Sequence, residues 1–356
     1  MVEAAKAEGL GKQLPARLMH ALARTVPQAG ELARLLEAWP GDLAADAVSF
    51  RLSAGLHALA RSGRAPGLAF MYRDAGEAPN PDAGVPDASV PDAATLDRAL
   101  RTALETHAIE LGQWLARPTQ TNEVARVAGL VAVLMALEER DPMPCEVLEL
   151  GSSAGLNLNF PHYACRVGAR AAMTPGSPVV LAPEWRGRLP PVRDVTVLRT
   201  LGVDLNPLDP ASPEDCARLE AYVWPGERAR ARRLAAALDL ARSHPPRVAR
   251  GQAGEWLAGA LAQPQPPGVR RAVFHSMMMQ YADPFERAAI DASLAAAGAR
   301  AGPANPLVRV GMEWRADRRA VELRVTTWDG GADAGEARLA ALCHPYGEWI
   351  EWLGLA

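Results

Sequence analysis

The chain has 356 residues, 38 basic and 41 acidic side chains and a net formal charge of -3, a length that suits about two domains. Its 49% apolar and 22% charged residues exclude a disordered chain, which lacks the apolar surface to offset the entropy of ordering. Lys6 and Lys12 are the only lysines, so 36 of the 38 basic residues are arginines; with a pI near 6.2 this is a compositional bias and not a nucleic-acid footprint, which calls for a strongly basic domain.

The first twenty residues mix charge, Gly and Pro and lack the apolar core of about 7 to 15 residues that a signal peptide needs. The longest apolar run, 124–137, contains Arg126 and falls short of the roughly 20 residues of a spanning helix. Cys145, Cys165, Cys216 and Cys343 are scattered and form no C-x-x-C pair, so neither a disulfide framework nor a redox motif is expected. The pairings of His162 with Cys165 and of Cys343 with His344 are too few for a zinc site. The expectation is a cytoplasmic protein without a membrane anchor or metal, whose partner is a small-molecule ligand.

Residues 13–73 read as short helices: in ELARLLEAW, Leu32, Leu35, Leu36 and Trp39 recur at helical spacing until Pro40-Gly41 ends the segment. Pro-Asp-Ala then recurs at 81, 86 and 91, which predicts a mobile surface loop near 74–93, because Pro and Asp hold no helix. Helical spacing resumes over 94–116. After Pro118, Thr121 or Asn122 is suited to cap an apolar helix over 123–139. The pattern divides the chain into a helical N-terminal domain, 1–118, and a second domain, 119–356.

From Cys145 the rhythm changes to strand and helix in alternation. Strands are expected at 146–150, within 195–207, weakly at 247–250, then at 270–277, 307–314, 321–328 and 337–344. Helices are expected at 212–222, 227–242, 252–262 and 284–298. This order predicts a doubly wound, mostly parallel α/β sheet with helices on both faces, and Trp328-Asp329-Gly330-Gly331 predicts a C-terminal antiparallel hairpin. Met277, Met278 and Met279 read as core filler on a helix start, and the arginines of 227–242 as a solvated helix face.

The most informative segment is Glu149-Leu150-Gly151-Ser152-Ser153-Ala154-Gly155-Leu156-Asn157, at a strand end before a helical start. As a nucleotide-binding loop it reads E-x-G-x-S-x-G: Gly151 permits the tight turn, Gly155 lets helix approach sheet, and exposed N–H groups meet a polar ligand. Ser153 then stands at the middle glycine. As G-x-S-x-G, the same letters make Ser153 a nucleophile on an elbow, with Asp329 and His344 following in the required order but no upstream oxyanion loop. Asp204, in Gly202-Val203-Asp204-Leu205-Asn206-Pro207, is the strand-end acid expected on ribose hydroxyls. It lies 49 residues after Gly155 (204 minus 155), where about 20 is usual, so 166–194 reads as an insertion. The plain alternative is a helix-capping turn.

Taken together, Thr121-Asn122-Glu123, LELGSSAGLNL (148–158), GVDLNPLD (202–209) with Trp224-Pro225, VFHS (273–276), Thr327-Trp328-Asp329-Gly330-Gly331 and His344-Pro345-Tyr346-Gly347-Glu348-Trp349 resemble the bacterial family grouped as domain of unknown function 2332 (DUF2332). The likeness spans nearly the whole chain. It carries no established activity and implies a sheet order like that of class I S-adenosylmethionine-dependent methyltransferases; with the nucleotide-binding reading of the glycine loop, the expected cofactor is S-adenosylmethionine, bound by Glu149, Gly151, Ser153, Gly155, Asn157, Asp204 and Asn206. Where relatives carry an acid after the third strand, this chain has Arg250-Gly251-Gln252-Ala253, and Gln252 becomes the candidate for an adenine edge. His275 and Glu313, at the ends of the fourth and fifth parallel strands, are the candidate catalytic groups, His275 as a base; their plain readings are a capping histidine and a solvated edge charge. Three functions follow: a methyltransferase of unknown acceptor, a non-catalytic Rossmann-like protein that binds a small molecule or a protein, and a serine hydrolase acting through Ser153.

Overall fold

Apolar residues at helical spacing and short runs of Val, Leu and Ala account for both layers of the computed structural model, which describes residues 2–44, 46–74 and 92–355. The loop expected near 74–93 lies, apart from its ends, outside the described residues. By contact the chain divides into two units: Met1–Thr121 with Pro213–Arg232, and Asn122–Ser212 with Arg233–Ala356.

The first unit is helical: α1 (Val2–Gly9), α2 (Gln13–Thr25), α3 (Glu31–Glu37), α4 (Val48–Arg61), α5 (Pro66–Asp74), α6 (Ala93–Thr106) and α7 (Ala108–Ala116). Leu18 and Leu22 of α2, Leu56 and Leu59 of α4, Leu100 and Leu104 of α6 and Leu111 and Leu115 of α7 recur every three or four residues and form its core. The helix expected over 94–116 breaks at His107, which ends α6 and precedes α7. Later in the chain α8 (Val127–Arg140) belongs to the second unit, but α9 (Pro213–Ala221) returns to the first. There Tyr222 and Trp224 lie 5.3 and 5.1 Å from the ring of Phe50.

The second unit holds a nine-stranded sheet. Its strands are β1 (Cys145–Leu150), β5 (Glu184–Gly187), β6 (Val197–Asp204), β7 (Val248–Arg250), β8 (Arg270–Ser276), β9 (Leu307–Trp314), β10 (Val321–Trp328), β11 (Ala337–Cys343) and β12 (Trp349–Trp352), in the order β5-β12-β11-β10-β9-β8-β1-β6-β7. β9, β8, β1, β6 and β7 are parallel, and β10, β11 and β12 continue antiparallel. The fold is therefore the expected mixed α/β type, with a mostly parallel sheet, an antiparallel C-terminal portion and an N-terminal helical region. The segment read as an insertion is itself sheet: β2 (Ala164–Val167), β3 (Arg170–Met173) and β4 (Val180–Leu181) form a second, three-stranded sheet, and β5 pairs with β12 on the main one.

One face of β1, β6, β8 and β9, carrying Leu148, Leu150, Val203, Val273 and Leu307, packs on α11 (Ala253–Ala262) and α12 (Pro284–Gly298) through Leu257, Leu261, Ile290 and Leu294. α8 is buried on all sides, as a helix apolar all round must be; a Cβ at its Gly129 would lie 3.3 Å from Leu323 of β10. At the amino end of the parallel strands Glu146, 5% exposed, takes Arg271 on Oε2 at 3.2 Å and Arg199 on both oxygens, at 2.9 Å from Oε1 and 3.1 Å from Oε2. α10 (Arg228–Ser243) departs from a purely solvated face, since Arg230 is buried. No helix among the described residues is long and apolar enough to cross a membrane.

Candidate functional site

The strand order runs outward from β1 through β6 to β7, then returns to β8 on the other side of β1. In an open parallel sheet such a reversal leaves a crevice at the carboxyl ends of the strands, the usual place for a ligand. Leu150, Asp204, Arg250, Ser276 and Trp314 end their strands at this edge. Because β11 runs in the same direction as β9, the turn His344–Glu348 joins them. Asp329 follows β10, which runs the opposite way, so it lies at the far edge from Ser153, where it pairs with Arg140. The order Ser153, Asp329, His344 therefore does not assemble into a triad.

The loop between β1 and the next helical turn has three left-handed residues: Gly151 (φ 70°), Ser153 (φ 54°) and Gly155 (φ 70°). Space requires two of them to be glycine. A Cβ at Gly151 would lie 2.7 Å from the Met278 Cβ, and one at Gly155 2.6 Å from the Val248 Cγ2. Only a 3-10 helix follows, Leu156–His162, interrupted by Pro161; the helical start that the sequence suggested is this single short piece, because Pro161 and the following strand β2 stop an α-helix. Asp204 closes the loop from the neighbouring strand: its Oδ2 accepts the Ser153 N–H at 2.8 Å and its Oδ1 accepts the Asn206 N–H at 2.8 Å. Asp204 thus serves the backbone with both oxygens while remaining half-exposed at the crevice. Asn122 does not cap the helix after it, as the sequence suggested. Glu123 caps the 3-10 turn Val124–Arg126 that leads into α8, accepting the Ala125 N–H, and the Asn122 Oδ1 accepts the Leu156 N–H at 3.0 Å, tying the chain before α8 to the end of the glycine loop.

Beneath the loop Glu149 is 2% exposed and Asn157 5%. The Asn157 Nδ2 donates to the Glu149 Oε1 at 2.9 Å, and the other oxygen of each, Oε2 and Oδ1, is buried without a partner. Burial pushes the Glu149 carboxyl up to about 8, and the negative Asp204 nearby adds to the effect.

His275 and Glu313 meet, but not as a free base and acid. The Glu313 Oε1 lies 2.7 Å from the His275 Nδ1 and also accepts the N–H groups of Met278 and Met279 at 3.2 and 3.3 Å. On the other side the Arg309 Nε donates to the His275 Nε2 at 3.0 Å, which fixes the ring with its proton on Nδ1. The pair shapes the turn after β8, where Met277 is left-handed (φ 57°) and Met278 is held against Gly151. The three methionines form this turn and not a helix, and Met278 and Met279 are only half-buried.

Gln252 is exposed at the start of α11, and its side chain makes no cap bond. Beside it the Arg250 guanidinium donates to the Leu205 carbonyl at 3.2 Å and to the Asn206 Oδ1 at 3.3 Å. The edge thus brings together Glu149, Gly151, Ser153, Gly155, Asn157, Asp204 and Asn206, with Gln252 at its β7 end and His275 and Glu313 at its β8 and β9 end. Sequence reasoning gave no site role to Asn122, Arg250 or the turn containing Gly347, whose Cβ would lie 2.7 Å from the Ala125 backbone. Their signal was available only as short motifs at the right place in the resemblance.

The family described as "Uncharacterized protein conserved in bacteria (DUF2332)" matches residues 2–352. No curated protein and no solved structure matches the chain.

Proposed function

Because the chain belongs to the DUF2332 family, whose description carries no activity, the reading has to come from the site, and we propose that the carboxyl edge of β1, β6 and β7 binds S-adenosylmethionine and that the protein is a methyltransferase of unknown acceptor. The observation that carries this reading is the left-handed loop Gly151–Gly155 at the point where the strand order reverses, clamped by a strand-end acid. The residues suit an adenosyl group: Gly151 and Gly155 let the loop turn tightly against Met278, Val248 and Pro246, Asp204 stands half-exposed at the crevice where ribose hydroxyls would lie, and the exposed Gln252 side chain can meet an adenine edge. Bound there, the sulfonium would supply the methyl group.

A second reading, a protein that binds such a ligand without chemistry, is favoured by the fully engaged ring of His275 and the three donors on the Glu313 Oε1. Calorimetric titration with S-adenosylmethionine and S-adenosylhomocysteine tests both. Ligand at a hundred times its dissociation constant should stabilise the protein by about 2.7 kcal/mol. Neither heat nor a melting shift at millimolar ligand would remove the cofactor, and binding without turnover of any acceptor would favour the second reading.

A further inference from the structure

Glu149 and Asn157 leave a specific gap. One hydrogen bond joins them, Nδ2 to Oε1, and the two remaining atoms, Oε2 and Oδ1, are both oxygens, both buried and both without a donor. Turning the carboxamide over does not cure this, because a carboxamide then still brings one oxygen and one N–H side to a carboxylate that can only accept. Besides Asn157, the Ser152 hydroxyl is close enough to the Glu149 carboxyl to oppose the effect of burial, but it has a single proton to give. The Ser152 hydroxyl donates to the Glu149 main-chain carbonyl and the Tyr163 hydroxyl to that of Leu156. In the sheet, Glu149 lies between Gly202 and Phe274, neither of which carries a polar side chain. The one charge acting on it among the described residues is Asp204, of the same sign, and the other titratable neighbour is Tyr163, whose phenol is buried and neutral.

We propose that Glu149 is a neutral carboxylic acid that pairs head to head with the Asn157 carboxamide, Oε2–H donating to Oδ1 while Nδ2–H donates to Oε1, and that this ring latches the segment after the glycine loop onto the end of β1. Both buried oxygens are then satisfied by a single proton. Glu149 and Asn157 are positioning residues: they act on a ligand through the Gly151–Gly155 loop that they hold from below. Glu149 then contributes no negative charge to the edge. Loss of the proton leaves two oxygens face to face and a buried uncompensated charge, so the latch weakens in alkali. The inference concerns the protein's own protonation and holds whichever ligand the crevice takes.

The sign of the pH effect follows from the raised carboxyl, which titrates near 4.5 when free and near 8 in the fold. The stabilisation is fully present below about pH 4.5, is lost progressively between about 4.5 and 8, and does not change further above that. Glu149→Gln supplies the same donor and acceptor without a titrating proton. In thermal unfolding of the full chain, its melting temperature should match the parent near pH 4.5 and exceed it by a widening margin up to about pH 8. Amide exchange at Asn157 should accelerate with pH in the parent by more than its intrinsic dependence, and Glu149→Gln should abolish that excess. A Glu149→Gln protein less stable than the parent by a margin independent of pH would overturn the proposal, since that is the behaviour of an ionised acceptor. If the variant does not fold, the infrared spectrum of the parent labelled with 13C-glutamate decides: a buried acid carbonyl band at neutral pH that vanishes above about pH 8 supports the pair, and its absence at neutral pH refutes it.

Discussion

Asp204→Ala is the perturbation whose consequence the structure changes most. The sequence assigned Asp204 to a ligand, which would leave the unliganded protein untouched by its loss. In the structure each carboxylate oxygen accepts a backbone N–H at 2.8 Å, from Ser153 and from Asn206. A hydrogen bond to a charged group contributes about 1.5 to 3 kcal/mol, and because Asp204 is half-exposed the lower figure applies to each, giving about 3 kcal/mol for the two. The second unit holds 91 residues in 122–212 and 124 in 233–356, 215 together; in that size range each kcal/mol moves the melting temperature by about 2 to 4 °C. Asp204→Ala should therefore melt about 6 to 12 °C below the parent without any ligand. Asp204→Asn, which keeps one acceptor, should fall about half as far. Calorimetry gives the shift, and amide exchange at Ser153 locates it. A variant that melts within about one degree of the parent, with Ser153 equally protected, would refute the clamp and return Asp204 to the ligand alone.

Gly155→Ala should be costly, by about 3 kcal/mol or more, because it adds left-handed strain to a Cβ 2.6 Å from Val248 and 2.7 Å from Pro246; urea unfolding measures it, and a neutral variant would mean that this turn is not as drawn. Arg271→Met removes one of the two guanidinium groups on buried Glu146 and leaves Arg199 on both oxygens, so it should lose about 1.5 to 3 kcal/mol, while the double variant with Glu146→Leu should recover most of the loss. Equal stability of the single variant and the parent would show that the buried pair contributes nothing net.

Much of the sheet was legible because its central strands are short segments rich in Val and Leu set off by turn residues: β1, β6, β8, β9, β10 and β11 fall within a few residues of the segments read from the sequence. β2 to β5 were not, since strands of two to four residues among Arg, Gly and Pro carry too little pattern to register. Helices over 212–222 and 227–242 could be read, but not that α9 joins the N-terminal helices, because this depends on Tyr222 and Trp224 meeting Phe50 from more than 170 residues away. In the site, the glycines were visible because their steric demand is local. The engagement of Asp204, His275 and Glu313 was not, because each is decided by a partner far away in the chain: the Ser153 N–H, Arg309 and the turn at Met278.

The return of α9 to the first unit has a consequence for the order in which the protein can be completed on the ribosome. That unit needs residues 213–232, so when residue 121 has been made, 111 further residues (232 minus 121) must follow before its last piece exists. At roughly 5 to 20 residues per second this is a delay of about 6 to 22 seconds, during which Phe50 and Trp114 lack the Tyr222 ring that later covers them. The glycine loop and β6, made within that interval, are thus synthesised before the N-terminal unit can close.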